Sequence, residues 1–307
     1  MNFTRKTEKR FFFHGNAIAF AAHIRRPEDF FIPSTARSCL PITGGLAEAS
    51  ENSKSFHDLI SFESASSRAI GDYSDPRRAA EFTRGNHADN DLPTLTIVEA
   101  AVNGLKIQMA EPAAAENTSG VRTVEIKRLR LRMENTSDRR GATAFRSLDA
   151  DIDGVSVDGH PLKVTTYPGL FAEHDTKQKL EHAFKNSGDF RKRHAHHFFS
   201  PEDGESSGIG KKLFGQNELP QVDGVIYCTV VKSIEWANTP APDCEIIGNH
   251  LTVTGLGSLY FGEFIVEEDF RRLTLLRLQL GSPSGGEGSV CEAQSGGHWY
   301  PPRVTGS

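Results

Sequence analysis

The chain has no run approaching the roughly 18 apolar residues that a membrane-spanning helix needs, so insertion of that kind is not expected. It has only four cysteines, Cys39, Cys228, Cys244 and Cys291, and no C-x-x-C pair. That spacing excludes a disulfide-dense scaffold and predicts free thiols in a reducing, cytoplasmic setting. Cys228 and Cys244 are the one pair that a hairpin could bring close enough to bridge. An excess of charge of either sign is also missing. With 35 basic against 40 acidic residues and a net charge of -5, no polycationic field draws nucleic acid, which is not an expected partner. There is no G-x-S-x-G, and the cysteines carry no local catalytic signature. Gly208-Ile209-Gly210-Lys211-Lys212 is not a phosphate loop, because Glu205 stands at the first glycine and Lys212 replaces the magnesium-holding hydroxyl. Hydrophobic residues make up only 37% of the chain, which implies long polar loops diluting an ordinary core.

What is present is strand pattern. From Gly248 to Gly281, Leu251 and Val253 alternate with threonines. Tyr260, Gly262, Phe264 and Val266 then alternate with Leu259, Phe261, Glu263 and Ile265. After the acidic corner Glu267-Glu268-Asp269, Leu276, Leu278 and Leu280 line one face. A two-residue period with aromatic and β-branched content predicts two long antiparallel strands joined by that corner, with a shorter strand before them. Val222 to Trp236 and Phe11 to Ile24 read as further strands, and Phe30 to Ile32 as another apolar segment. The basic residues Arg5, Lys6, Lys9 and Arg10 precede an apolar stretch in the manner of a secretory signal, but His14, Gly15 and Asn16 interrupt it. The expectation is a disordered leader over 1–10 and a first strand behind it.

Residues 33–55 and 64–93 carry loop chemistry, with Phe56 to Phe62 a candidate strand between them. Residues 173–186 form the one convincing helix, with Thr176, Leu180, Ala183 and Phe184 on its apolar side. Residues 282–307 read as a flexible Gly/Ser-rich tail. The β-rich domain therefore spans 11–281, with a possible division near 170.

Two segments resemble each other at an interval of fifty residues. Residues 100–107 and 150–157 both read Ala-x-aliphatic-x-Gly-aliphatic-x-aliphatic, and in each the alternation changes phase at Asn103-Gly104 or Asp153-Gly154. A tight hairpin turn, whose two central residues need positive φ, produces such a change, and so does a bulge within one strand. Either way the glycines are structural. Asn117 and Asn135 each begin an N-x-S/T triplet, a pattern too short to decide anything.

Three groups of side chains are candidates for chemistry. Arg128, Arg130 and Arg132 share one strand face about 7 Å apart and could meet an anion or an extended polyanion, unless acidic residues neutralise them across a sheet. His194 and His196 would point to one side of a strand, as two ligands of one divalent metal do. His174, Asp175 and His182 could join them only if the helix folded back, and the two histidines are about 80° apart around it. Gly188, five residues, His194-x-His196 and then Glu202 resemble the first metal-binding motif of the cupin family, with the glutamate one place late and no second motif downstream. That resemblance implies a β-barrel enzyme using a divalent transition metal held by His194, His196 and Glu202.

These readings predict a mainly β protein, an antiparallel β-sandwich or distorted barrel of about ten strands with one inserted helix. The expected function is that of a non-catalytic binding or assembly protein, with a protein or small molecule as partner and no cofactor. The cupin-like metal enzyme is the alternative.

Overall fold

The computed structural model describes residues 10–25, 29–73, 94–110, 121–137, 143–167, 169–194, 221–222, 225–281 and 285–300. The chain forms β1 (Arg10–Ile24), β2 (Phe30–Cys39), β3 (Gly45–Phe56), β4 (Ile60–Tyr73), β5 (Thr94–Ala110), β6 (Val121–Ser137), β7 (Thr143–Val157) and β8 (His160–Thr166). Three short helices follow, α1 (Leu170–Glu173), α2 (Lys177–Asn186) and α3 (Gly188–His194). The remaining strands are β9 (Gln221–Val222), β10 (Val225–Thr229), β11 (Val231–Trp236), β12 (Cys244–Ile247), β13 (His250–Val253), β14 (Gly257–Val266), β15 (Phe270–Leu280) and β16 (Gly286–Tyr300).

Two antiparallel sheets result, as the alternation predicts. One has seven strands in the order β11-β8-β7-β6-β5-β4-β3. The other has nine, β12-β13-β14-β15-β16-β1-β2, with β10 and β9 added beside β14. One contiguous hydrophobic core lies between them and draws on both halves of the chain. No division falls at residue 170, because β8 before it pairs with β11 after it. The chain crosses from sheet to sheet at Val230, whose N–H bonds Gly262 of the nine-stranded sheet while its carbonyl accepts from Tyr167 beyond β8.

Several expectations about loops are corrected. Residues 286–300 are not a flexible tail but a central strand paired on both sides, with β15 and β1. Its glycines serve close backbone packing: a Cβ on Gly296 would sit 2.0 Å from the Asp269 carbonyl oxygen. Residues 45–56 and 64–73 are strands rather than loops. Their Ser, Ala and Glu content hid them, since β3 is an edge strand with half-buried small residues on its inner side. With these and the short strands β8, β9, β11 and β12, the described residues form sixteen strands where about ten were expected.

Helix α2 begins at Lys177, four residues later than predicted, behind Thr176, whose side chain accepts from Lys179 N–H, and it buries Leu180, Ala183 and Phe184 as its pattern requires. All four cysteines are free. Cys228 is buried in β10, and Cys244 Sγ lies 3.3 Å from an Arg122 guanidinium nitrogen, so the two do not bridge. Asn135 is 2% exposed, which closes its N-x-S/T triplet to modification in the folded chain.

The fifty-residue resemblance is explained by a bend. Gly104 and Gly154 do not make hairpins; they lie within β5 and β7, which both pair with β6. Pairing continues without slip on either side of them, from Asn103 opposite Arg128 to Leu105 opposite Ile126. Which face is buried nevertheless switches, from Val98, Ala100 and Val102 to Leu105, Ile107 and Met109. Gly104 at φ +61° and Gly154 at φ +67° make the switch, with Glu63 and Lys127 side chains crossing over them. A Cβ at Gly104 would meet the flexible Glu63 side chain at 2.4 Å and one at Gly154 the Cβ of Lys127 at 2.5 Å, so close contact adds to the backbone's preference for glycine, most at Gly154.

The nine-stranded sheet bends by the same means. Gly262, Leu275, Cys291, Ala19 and Ala36 lie side by side on β14, β15, β16, β1 and β2, between matched pairs on either side. Positive φ falls on every second strand, at Gly262 (+66°), Cys291 (+50°) and Ala36 (+45°). Cys291 Sγ reaches the Leu129 carbonyl at 3.5 Å, so the two bends meet across the core.

Candidate functional site

The bend in the nine-stranded sheet assembles a polar cluster on its outer face. In an unbroken strand, residues three apart point to opposite faces. Here the inversion puts Tyr260 and Glu263 of β14, Thr274 and Arg277 of β15, and Ser289 and Glu292 of β16 on one side. Bulge-like positions commonly re-aim side chains in this way.

Glu263 takes a bidentate pair of hydrogen bonds from Arg277, both 2.7 Å, and its side chain is only 6% exposed. The guanidinium also lies 3.8 Å from the centre of the Tyr260 ring. Burial opposes the charge on Arg277, but hydrogen bonding and charge from Glu263 outweigh it and raise its pKa. On the other side of Tyr260, the His250 ring stacks at 4.3 Å and 2°. Burial, helped by the charge of Arg277, pushes the His250 pKa down to about 4, so the ring is neutral near pH 7.

A second pair mirrors the first. Arg272 donates to buried Glu292 at 2.7 Å, and Gln294 donates to the other carboxylate oxygen at 2.9 Å. Between the two acids, in register with both, sits Thr274. It is 4% exposed, and its hydroxyl has no protein partner among the described residues.

Thr274 is part of the floor of an open groove of about 450 Å³, with Ser289 beside it and Arg272 and Arg277 along one side. The opposite side comes from the β1–β2 hairpin. Phe31 is 73% exposed there and stacks on His23 at 3.8 Å, while His23 Nε2 contacts the Asp29 carboxylate at 2.7 Å. An aromatic ring held flat at the surface faces buried, charge-paired polar groups across a concavity. That combination is typical of ligand pockets.

The residues singled out by sequence lie elsewhere. Arg128 is paired with Asp151 at 2.6 Å and Asp153 at 3.8 Å, and the hydrogen bond and charge of Asp151 raise its pKa. Arg132 is held by Glu134 and Glu99. Arg130 is opposite Asp151 in the register. The ladder is thus matched by Asp149, Asp151 and Asp153 on β7, and no open row of cations faces a polyanion.

His194 is not on a strand. It ends α3, buried against Phe184 and Phe190, and its Nδ1 accepts the Thr229 N–H at 3.1 Å. The ring fixes the corner where β10 passes into β11, which is work for a core histidine. His196 and Glu202 lie outside the described residues, as do Asn117 and the glycine run at 208–212. His174 packs edge-on to Phe190, Asp175 pairs with Lys179, and no group of three or more His, Cys, Asp or Glu suited to a metal occurs among the described residues. No helix described is long and apolar enough to cross a membrane.

Sequence reasoning missed Phe31, Thr274, Glu263, Arg277 and Glu292. Gly262 was the one available signal, a glycine between Phe261 and Glu263 where the strand turns over. No curated protein and no solved structure matches this chain. A family model does match over residues 11–267, well over half of the 307, and the chain therefore belongs to the family described as Domain of unknown function (DUF8256).

Proposed function

We propose that this protein is a non-catalytic binding protein whose ligand, a small molecule, sits in the groove over Thr274. The observation that carries the reading is the Thr274 hydroxyl. It belongs to a residue only 4% exposed, lines the groove, has no hydrogen-bond partner among the described residues, and lies between two guanidinium–carboxylate pairs that hold each other still. A hydroxyl at the floor of a concavity, flanked by fixed charged groups, is a directional contact for a ligand. Both carboxylates are locked to arginines, which suits recognition better than proton transfer. The reading calls for no cofactor.

The test is ligand-observed NMR with mixtures of small soluble compounds, neutral, anionic and cationic, on the parent protein, Phe31→Ala and Thr274→Val. Compounds that bind the groove should lose about tenfold in affinity in each variant, the loss expected for one stacking or hydrogen-bonding contact. Binding indifferent to both substitutions, or no binding at all, overturns the proposal.

A further inference from the structure

We propose that the groove takes a neutral carbohydrate, with one sugar ring lying on Phe31 and its hydroxyls bonded to Arg272, Thr274 and Arg277. The inference rests on the groove being the binding site, and it follows from matching the groove's chemistry to ligand classes in turn.

Charge decides the first step. The two guanidiniums at the groove are opposed by Glu263 and Glu292, and Glu287 at its edge is matched by Arg25. A phosphate or carboxylate would enter a field with no net positive charge, and a cation would meet the guanidiniums first. A neutral ligand avoids both costs.

Polarity decides the second step. A purely apolar ligand would bury the Thr274 hydroxyl and the guanidinium N–H groups without partners, at a cost of about 1–3 kcal/mol each. The ligand must therefore carry several groups that both donate and accept. An extended peptide could supply them, but it would dock by strand addition at a sheet edge. The floor here is β15 and β16, interior strands whose backbone groups already pair with neighbours on both sides. Hydrogen bonds to the ligand must come from side chains.

Shape decides the third step. The exposed ring of Phe31 lies flat on His23, so it is a platform prepared before binding rather than a side chain ordered by it. A pyranose has one face of C–H groups that packs on such a ring and a rim of hydroxyls around it. The rim meets groups of both polarities, held in place by bidentate or charge-assisted bonds that are planar and direction-specific.

The experiment uses the full chain and a panel of neutral oligosaccharides of one to four hexose or N-acetylhexosamine units. An array is followed by calorimetry, with a neutral nucleoside, inorganic phosphate and a sulfated sugar as controls. At least one neutral sugar should bind, weaken about tenfold in Phe31→Ala and in Thr274→Val, and change less than about twofold between low and high salt. Binding of the nucleoside or of the anions alone, lost in the same variants, overturns the carbohydrate assignment and leaves the groove as a binding site. Failure of every probe, here and in the mixtures above, overturns both.

Discussion

Across the seven-stranded sheet, Glu48, Arg68, Glu99, Arg132 and Asp149 stand in one row, alternating in sign on five neighbouring strands. Across the nine-stranded sheet, the row through the bend reads Glu263, Thr274, Glu292, Ile18 and Arg37. Both sheets invert their faces along a transverse line, yet they treat charge differently. In the first, carboxylates and guanidiniums neutralise one another sideways in contact with water, as Arg68 does with Glu48 at 2.9 Å. In the second, the acids are buried and each arginine of β15 is held by an acid on a neighbouring strand, Arg277 by Glu263 of β14 and Arg272 by Glu292 of β16. An exposed ladder tolerates the loss of a member, because water and the next carboxylate take its place. A buried pair does not, so its geometry is fixed, and fixed geometry is what recognition needs.

The sharpest way to break the comparison is at the glycines that make the bends. Gly262→Ala places a methyl 2.8 Å from the Val230 and Val231 side chains at φ +66°. Left-handed backbone and core overpacking together should cost about 3 kcal/mol. Gly104→Ala carries the same backbone penalty but pushes against the exposed end of Glu63, which can swing away, so about 1–2 kcal/mol is expected. Urea unfolding of the two variants checks the order, and equal losses would mean that the bends are not differently packed.

The next largest effect separates the ion pairs. Glu263→Gln leaves Arg277 half-enclosed and without its counter-charge. A loss of about 2 kcal/mol is expected, below the range for fully buried pairs because the guanidinium is partly solvated. Chemical denaturation at neutral pH measures it. A smaller effect comes from His250. Its native pKa, about 4, lies below the ordinary unfolded value near 6.5. Between those limits the unfolded chain binds the extra proton, so stability falls as pH drops from 6.5 towards 4. His250→Phe, which keeps the stack on Tyr260, should remove about 2–4 °C of the acid-dependent decline in Tm over that window.

How much of this was readable beforehand follows from which interactions are local. The strand class was legible because alternation is a property of consecutive residues. Gly104 and Gly154 were legible as special positions, since positive φ leaves a glycine behind. Whether they turned the chain or bent it was not, because a hairpin and a bend share the same local dihedral and differ in their partners. Those partners, Glu63 and Lys127, are remote in sequence. In the other sheet the line was hidden further, since Ala36 and Cys291 adopt positive φ without glycine's help. The site suffered the same way. Tyr260, Glu263, Thr274 and Arg277 all lie in the stretch that most plainly read as strand, but only the register of β14 on β15 brings Glu263 to Arg277. His194 misled for the opposite reason: a histidine pair two apart suggests a strand only if the backbone is one, and Phe184 and Phe190 bury it on a helix instead.

The smallest expected effect completes the contrast. Asp151→Asn removes the nearer partner of Arg128, at 2.6 Å, and leaves Asp153 at 3.8 Å on the same strand face. All three side chains are nearly half exposed, so the guanidinium keeps both water and a neighbouring charge. Coulomb attraction at that exposure is weak and salt-screened, and ordering two long side chains offsets much of it. Urea midpoints of Asp151→Asn and the parent should therefore coincide within error at low and at high salt. A loss approaching that of Glu263→Gln would show that the acidic ladder also holds its sheet rigid, and the division between a self-neutralising face and a recognition face would fail.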